Sequence, residues 1–407
     1  MSRVPCSLAN TLIGKPMRWN VYREDGSVAL KTGESISSEQ LLGKLTTQKL
    51  FYDDEDALAA AKDPQNAPSV VRMINQANKQ LKLVLLDLQN PVKEKAVEPK
   101  EMAEVAKVTE EAAPTPVPEP EEEKESAEEL ITAIAQLIYD ALKLNSEIAV
   151  ATIFLNQGAM RYAYHHPVNC AIISGLMAHA LEQAPEEIMT TLSAALTANI
   201  GMLKLQLKVS DKTTPLTPAE IAAVRAHPVL GVEILRKAEV SNEAWLSYVL
   251  NHHENEDGSG YPAGRKGYEI PLNANVISFA ERYCARVTSR GEHRPALPAD
   301  TVSGLFLEKQ SHFKPQLAPH FIKLIGIHPP GIAVLLKSGE IGIVLKQGVT
   351  PGSAAVRVTI SPSGMSTEKV IVRETKDPKF GIVKQVHKDM AGINVQMSKF
   401  WGATAAI

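Results

Sequence analysis

Four histidines and one glutamate stand in segments whose spacing could do chemistry: "YAYHHPVN" (162–169), "RAHPVLGVEIL" (225–235), "NHHENEDGSGYPAG" (251–264) and "SFAERYCARVTSR" (278–290). His166, His227, His252 and His253 offer imidazole nitrogens, which serve as general bases or as ligands for first-row divalent ions. Glu281 shares a helical face with Ile277, Ala280, Cys284 and Thr288, so its carboxylate points toward apolar surroundings. Burying an unpaired carboxylate is costly, and it calls for an arginine, a protonated histidine or a metal ion. A lone buried histidine does no more than satisfy a hydrogen bond. Four of them on three helices beside a carboxylate point to a cation site. In "DGSGYPAG" (257–264), Asp257, Gly258, Gly260 and Gly264 shape a turn that presents Tyr261 ahead of Pro262. Such a loop either recognises a partner or closes the fold, and the residues leave both readings open.

These groups need elements to hold them. Residues 127–330 read as helix almost throughout. Ile188, Leu192, Ala195, Leu196, Asn199 and Ile200 form one stripe at three-to-four-residue spacing. In "TPAE" (217–220), Thr217, Pro218 and Glu220 give three agreeing helix-start signals. From residue 331 to 407 the period changes to alternation around Gly and Ser turns, which predicts a β-rich extension. Residues 1–90 read as a small α+β sensing or docking module, with a hairpin around Asp25-Gly26 and a short helix started by Ser37 and Gln40. "LKLVLLDLQ" (81–89) fits a helix or a strand. Residues 91–126 are proline-rich and acidic, with few large apolar side chains to offset the entropy of ordering, so they read as a disordered linker.

Composition narrows the function classes. The net charge of −3 gives no reason to expect a nucleic acid or an anionic membrane as partner. Cys6, Cys170 and Cys284 are odd in number, widely spaced and without CxxC spacing, which suits a reducing compartment and argues against a disulfide framework or structural zinc knuckle. The N-terminus lacks the apolar core of a signal peptide, and no run approaches a membrane span, so a cytoplasmic protein is expected.

Residues 160–330 resemble the HD-GYP family of metal-dependent phosphohydrolases. "HHENEDGSGYPAG" is similar to the family signature, and "PLTPAEIAAVRAHPVLGVEIL" and "IGIHPPGIAVLLKSGEIGIVL" to its flanking segments. The resemblance implies a mainly α fold, an HD-type helical bundle, and action on cyclic di-GMP by two or three iron, manganese or similar ions. In such a centre, ions about 3.5–4 Å apart clamp the phosphate and need a bridging carboxylate between them. Carried over by position, His166, His227, His252 and His253 match metal ligands and Tyr261 and Pro262 match the loop. Arg290 matches a contact to the substrate phosphate, and Arg294 joins it as a ligand-binding candidate.

The departures fall in "TANIGM" (197–202): Ala198 and Asn199 stand where the family carries His-Asp, and Met202 where it carries Lys. Glu281 replaces its final Asp. A neutral amide is a poor bridge between dications, so the resemblance implies no dinuclear centre. It leaves either no cofactor or a single ion (iron, manganese or zinc) on His227, the 252/253 pair and Glu281. The expected function is a non-catalytic protein of cyclic di-GMP signalling that binds the nucleotide or docks GGDEF-type or other signalling proteins. Two alternatives stand beside it: an active mononuclear phosphodiesterase, and an adaptor whose β modules do the binding. Oligomeric state stays open.

Overall fold

The computed structural model describes residues 3–6, 17, 20–31, 33–38, 41, 44–45, 48–53, 68–89 and 125–407, except 157–160, 211, 213, 291–293, 308–311, 351 and 390. The chain forms two compact units that divide at Ser69.

In the first unit, β1 (Arg3–Cys6), β2 (Val21–Arg23), β3 (Val28–Leu30) and β4 (Leu50–Asp53) build an antiparallel sheet of order β1-β4-β2-β3. The expected hairpin is β2–β3: Gly26 takes φ 85°, and Asp25 Oδ1 accepts from the Ser27 N–H at 2.8 Å. A core of Met17, Val21, Leu30, Ile36, Leu45 and Leu50 lies under it. Gln40, half of the expected capping pair, lies outside the described residues, as does the expected linker up to residue 124.

The second unit starts with α1 (Val70–Gln89), which settles "LKLVLLDLQ" as helix and places it with the bundle. Its buried residues Val70, Val71, Ile74, Ala77, Asn78, Leu81, Val84 and Leu85 recur at helical spacing, and this face packs against α2 (Ala127–Leu155). A reciprocal pair between Ser126 and Glu129 starts α2. Next comes α3 (Tyr162–Ala180), buried on every side, as befits the central helix. It packs against α1, α2, α4 (Pro185–Thr197), α5 (Leu203–Val209), α8 (Leu272–Val287) and α10 (Leu317–Leu324). Between these run α6 (Pro218–Lys237), started by the Thr217–Glu220 capping box, α7 (Glu243–Asn251) and α9 (Pro298–Leu307). By length and composition Pro185–Val209 could cross a membrane, but its apolar 18-residue window is 72% buried in the bundle, where it supplies core.

The C-terminal region is an antiparallel sheet of order β8-β7-β6-β5-β9, with β5 (Ala333–Leu336), β6 (Ile341–Gln347), β7 (Ala354–Ile360), β8 (Val372–Glu374) and β9 (Ile382–Val386), followed by α11 (Met397–Trp401). Val334, Leu336, Val344 and Val356 join the same hydrophobic core as the helices. The β-rich region is therefore continuous with the bundle and closes one side of it.

Candidate metal and ligand site

The expected stripe on α4 is buried throughout, and beyond Thr197 the chain passes Ala198 and Asn199 into a short 3-10 turn, Ile200–Met202. Gly201 does more there than end a helix. A Cβ on it would lie 2.2 Å from the His227 carbonyl oxygen and 2.7 Å from the Gly231 nitrogen. Only glycine lets this turn press against α6, and the contact fixes His227 relative to Asn199.

His227 lies on the buried side of α6, while His252 and His253 lie just past the end of α7, where the chain leaves the helix for the "GYP" loop. His227 Nδ1 bonds the Val224 carbonyl, and His252 Nδ1 bonds the Val249 carbonyl at 2.7 Å. A carbonyl oxygen only accepts, so both rings carry their proton on Nδ1 and turn a bare Nε2 inward. Those two Nε2 atoms face each other at 3.2 Å. Lone pairs that close repel unless a proton or a cation joins them. Burial opposes the proton: it lowers His227 to about 4 and shifts His252 downward as well. His253 is held well below its ordinary value, first by burial and then by its neighbour His252.

Among the described residues, His227, His252 and His253 form a group whose ligand atoms all lie within 4.8 Å of one another. His253 Nε2 is buried, without a hydrogen-bond partner, and 3.5 Å from Glu281 Oε2. Neutral imidazoles with inward lone pairs, one orphaned nitrogen and a carboxylate are a donor set that fits a divalent transition metal.

Glu281 comes from α8, and its second oxygen, Oε1, looks the other way. It lies 3.8 Å from His166 Nε2 and accepts from Asn199 Nδ2 at 3.2 Å. Burial pushes the Glu281 carboxyl up, but His253, His166 and His252 outweigh it and hold the group ionised. Asn199 Oδ1 is buried without a partner. His166, Asn199 and His253 thus meet around the Glu281 carboxylate, with His227 and His252 packed beside His253. Ala198 and Met202 are buried close by in sequence, and no polar group of theirs reaches in.

Tyr261 stacks on His253, with ring centroids 4.7 Å apart. Its loop is pinned by Glu254, a fully buried carboxylate that accepts from the N–H groups of Ala263 (2.7 Å), Gly264 (3.1 Å) and Arg265 (2.9 Å). Asp257 Oδ1 accepts from the Ser259 N–H at 2.9 Å, and Gly258 and Gly264 take positive φ. Gly260 passes so close to the chain that a Cβ would meet Glu254 and Asn255 backbone at 2.5 Å. The Tyr261-Pro262 peptide is cis.

Arg290 follows α8 and sets its guanidinium 5.8 Å from the Tyr162 ring, while Tyr162 stacks on His166. Arg294 is exposed, and no contact described for the site involves it. Three participants escaped sequence reasoning: Tyr162, Glu254 and Arg225, whose guanidinium lies 5.9 Å from the Tyr261 ring. Tyr162 could have been found, since it stands four residues before His166 on the same helix. His165, by contrast, is buried beside Asn169 and belongs to the core.

With this geometry in place, comparisons with known proteins find similarity over the helical bundle. Residues 124–317 match the family model described as an HD domain. A cyclic di-GMP phosphodiesterase of Pseudomonas aeruginosa is 31% identical over 186 residues, covering 46% of this chain and 45% of the relative. One from Borreliella burgdorferi is 26% identical over 184 residues, covering 45% of this chain and 48% of its own. The chain thus spans under half the length of these curated relatives. Among solved structures, a HDG"Y"P protein from Bdellovibrio bacteriovorus aligns with 79% of this chain and 99% of its own, at TM-score 0.47 and 15% identity.

Proposed function

We propose that residues 124–317, an HD domain, bind cyclic di-GMP around a single divalent ion and relay the nucleotide signal without efficient hydrolysis. Relatives named as cyclic di-GMP phosphodiesterases support the ligand class. His227, His252, His253 and Glu281 would hold the ion, which would supply a positive charge to attract a phosphate oxygen.

The observation that carries the non-catalytic reading is Asn199. Its amide N–H is spent on Glu281 Oε1, so the space between His166 and Glu281 is served by a neutral hydrogen-bond donor. A second dication there would have one imidazole and a shared carboxylate to hold it, too little charge to offset repulsion from the first ion.

Elemental analysis, calorimetry with cyclic di-GMP and a hydrolysis assay on the purified chain test this together. The expected result is a single equivalent of metal, saturable nucleotide binding and no turnover. Turnover in added manganese or iron would overturn the non-catalytic reading, and absence of nucleotide binding would overturn the ligand. Ala198→His, Asn199→Asp and Met202→Lys combined should raise metal content and introduce hydrolysis, because Asn199 already faces Glu281.

A further inference from the structure

Around Glu281 the site repeats itself. From Oε2 the order runs His253 at 3.5 Å, then Tyr261 stacked on that imidazole with centroids 4.7 Å apart and planes at 23°, then Arg225 with its guanidinium 5.9 Å from the Tyr261 ring. From Oε1 it runs His166 at 3.8 Å, then Tyr162 stacked with centroids 4.6 Å apart and planes at 22°, then Arg290 at 5.8 Å from the Tyr162 ring. The two arms share composition, order and spacing. No internal repeat produces this: one arm is drawn from α6 and the loop after α7, the other from α3 and the end of α8.

Both guanidinium groups are exposed, and neither forms an ion pair among the described residues. Burial raises both tyrosine hydroxyls, so each ring remains a neutral platform for its arginine. Two forked cations, one on the arm from each oxygen of a single carboxylate, suit a ligand with two equivalent phosphates. A mononucleotide has one phosphate and needs one arm.

Resting on the nucleotide reading above, we propose that Arg225 and Arg290 each hold one phosphodiester of a two-fold-symmetric cyclic dinucleotide, one on the arm from each Glu281 oxygen. Tyr162 and Tyr261 brace the two guanidinium groups, and Arg225 is thereby a ligand-binding residue in its own right.

Calorimetry on the full chain with cyclic di-GMP and with GMP, using Arg225→Gln, Arg290→Gln and the double variant, tests the symmetry. Each single change should weaken cyclic di-GMP binding about tenfold or more, as expected for a lost charge-assisted phosphate contact, and the two losses should multiply. GMP can use either arm, so each single change should cost it only about half its affinity, with the large loss confined to the double variant. Arg225→Lys should recover part of the cyclic di-GMP affinity. Both side chains are exposed, so unchanged melting temperatures will show that the fold is intact. Cyclic di-GMP binding that ignores Arg225→Gln overturns the two-arm proposal and leaves the function standing. A wild-type chain that binds no cyclic di-GMP overturns the function and the proposal together.

Discussion

At the scale of the residue, the site is organised by one carboxylate with two faces. Glu281 sends Oε2 toward His253 and Oε1 toward His166 and Asn199, so its removal strips from these groups the one carboxylate that contacts them among the described residues. Glu281→Gln should cut metal content about tenfold or more, measured by elemental analysis after dialysis. Glu254 is the second buried carboxylate here, and it holds the "GYP" loop through three backbone N–H groups. Glu254→Ala leaves those donors without acceptors and should destabilise the chain by about 3 kcal/mol in denaturant titration. The candidate ligands were legible because imidazoles and carboxylates at core spacing are rare enough to stand out. Glu254 was not, since its role depends on a loop returning nine to eleven residues later, which no periodicity records. Arg225 was hidden for the same reason: its partner Tyr261 comes from another element.

At the scale of the element, start signals and periods were reliable guides. Thr217-Pro218 does start α6, and the stripe from Ile188 to Ile200 is buried throughout. What the period could not show is how closely elements approach. Gly201 looks like an ordinary helix stop, yet its missing side chain sets the distance between the 200–202 turn and α6. Gly201→Ala should force them apart and lower the melting temperature by several degrees, with a loss of metal affinity because His227 moves with α6. A pure stop signal would tolerate alanine, so unchanged metal binding would refute this role.

At the scale of the whole molecule, a bundle with several buried neutral histidines is sensitive to acid. His165 and His227 are lowered from 6.5 to about 4 by burial. Below 6.5 the unfolded chain takes up protons that the folded chain refuses, so the metal-free protein should lose stability as pH falls from 6.5 toward 4 and show no such slope above 7. Urea midpoints measured across that window would show it, and bound metal should shift the loss to lower pH. The β-rich C-terminal region was legible as strands but not as core. Its inward residues belong to the same cluster as the helices, so truncation after residue 330 should prevent cooperative unfolding rather than release an intact bundle.

The helix α1 has a wider consequence. It begins immediately after the first unit ends, runs 20 residues, about 30 Å at the usual helical rise, and sets its last side chain against the site. Gln89 Nε2 donates to the Ile200 carbonyl at 2.6 Å, and Lys204 Nζ to the Gln89 carbonyl at 3.2 Å. The turn next to Asn199 is therefore tied to a stiff rod whose other end is Val70, where the second unit begins. Displacement of the Val70 end would arrive at the turn, because a packed helix transmits strain along its axis instead of absorbing it. Cutting the tie with Gln89→Ala should leave the bundle folded and loosen the turn, read as weaker manganese binding in calorimetry.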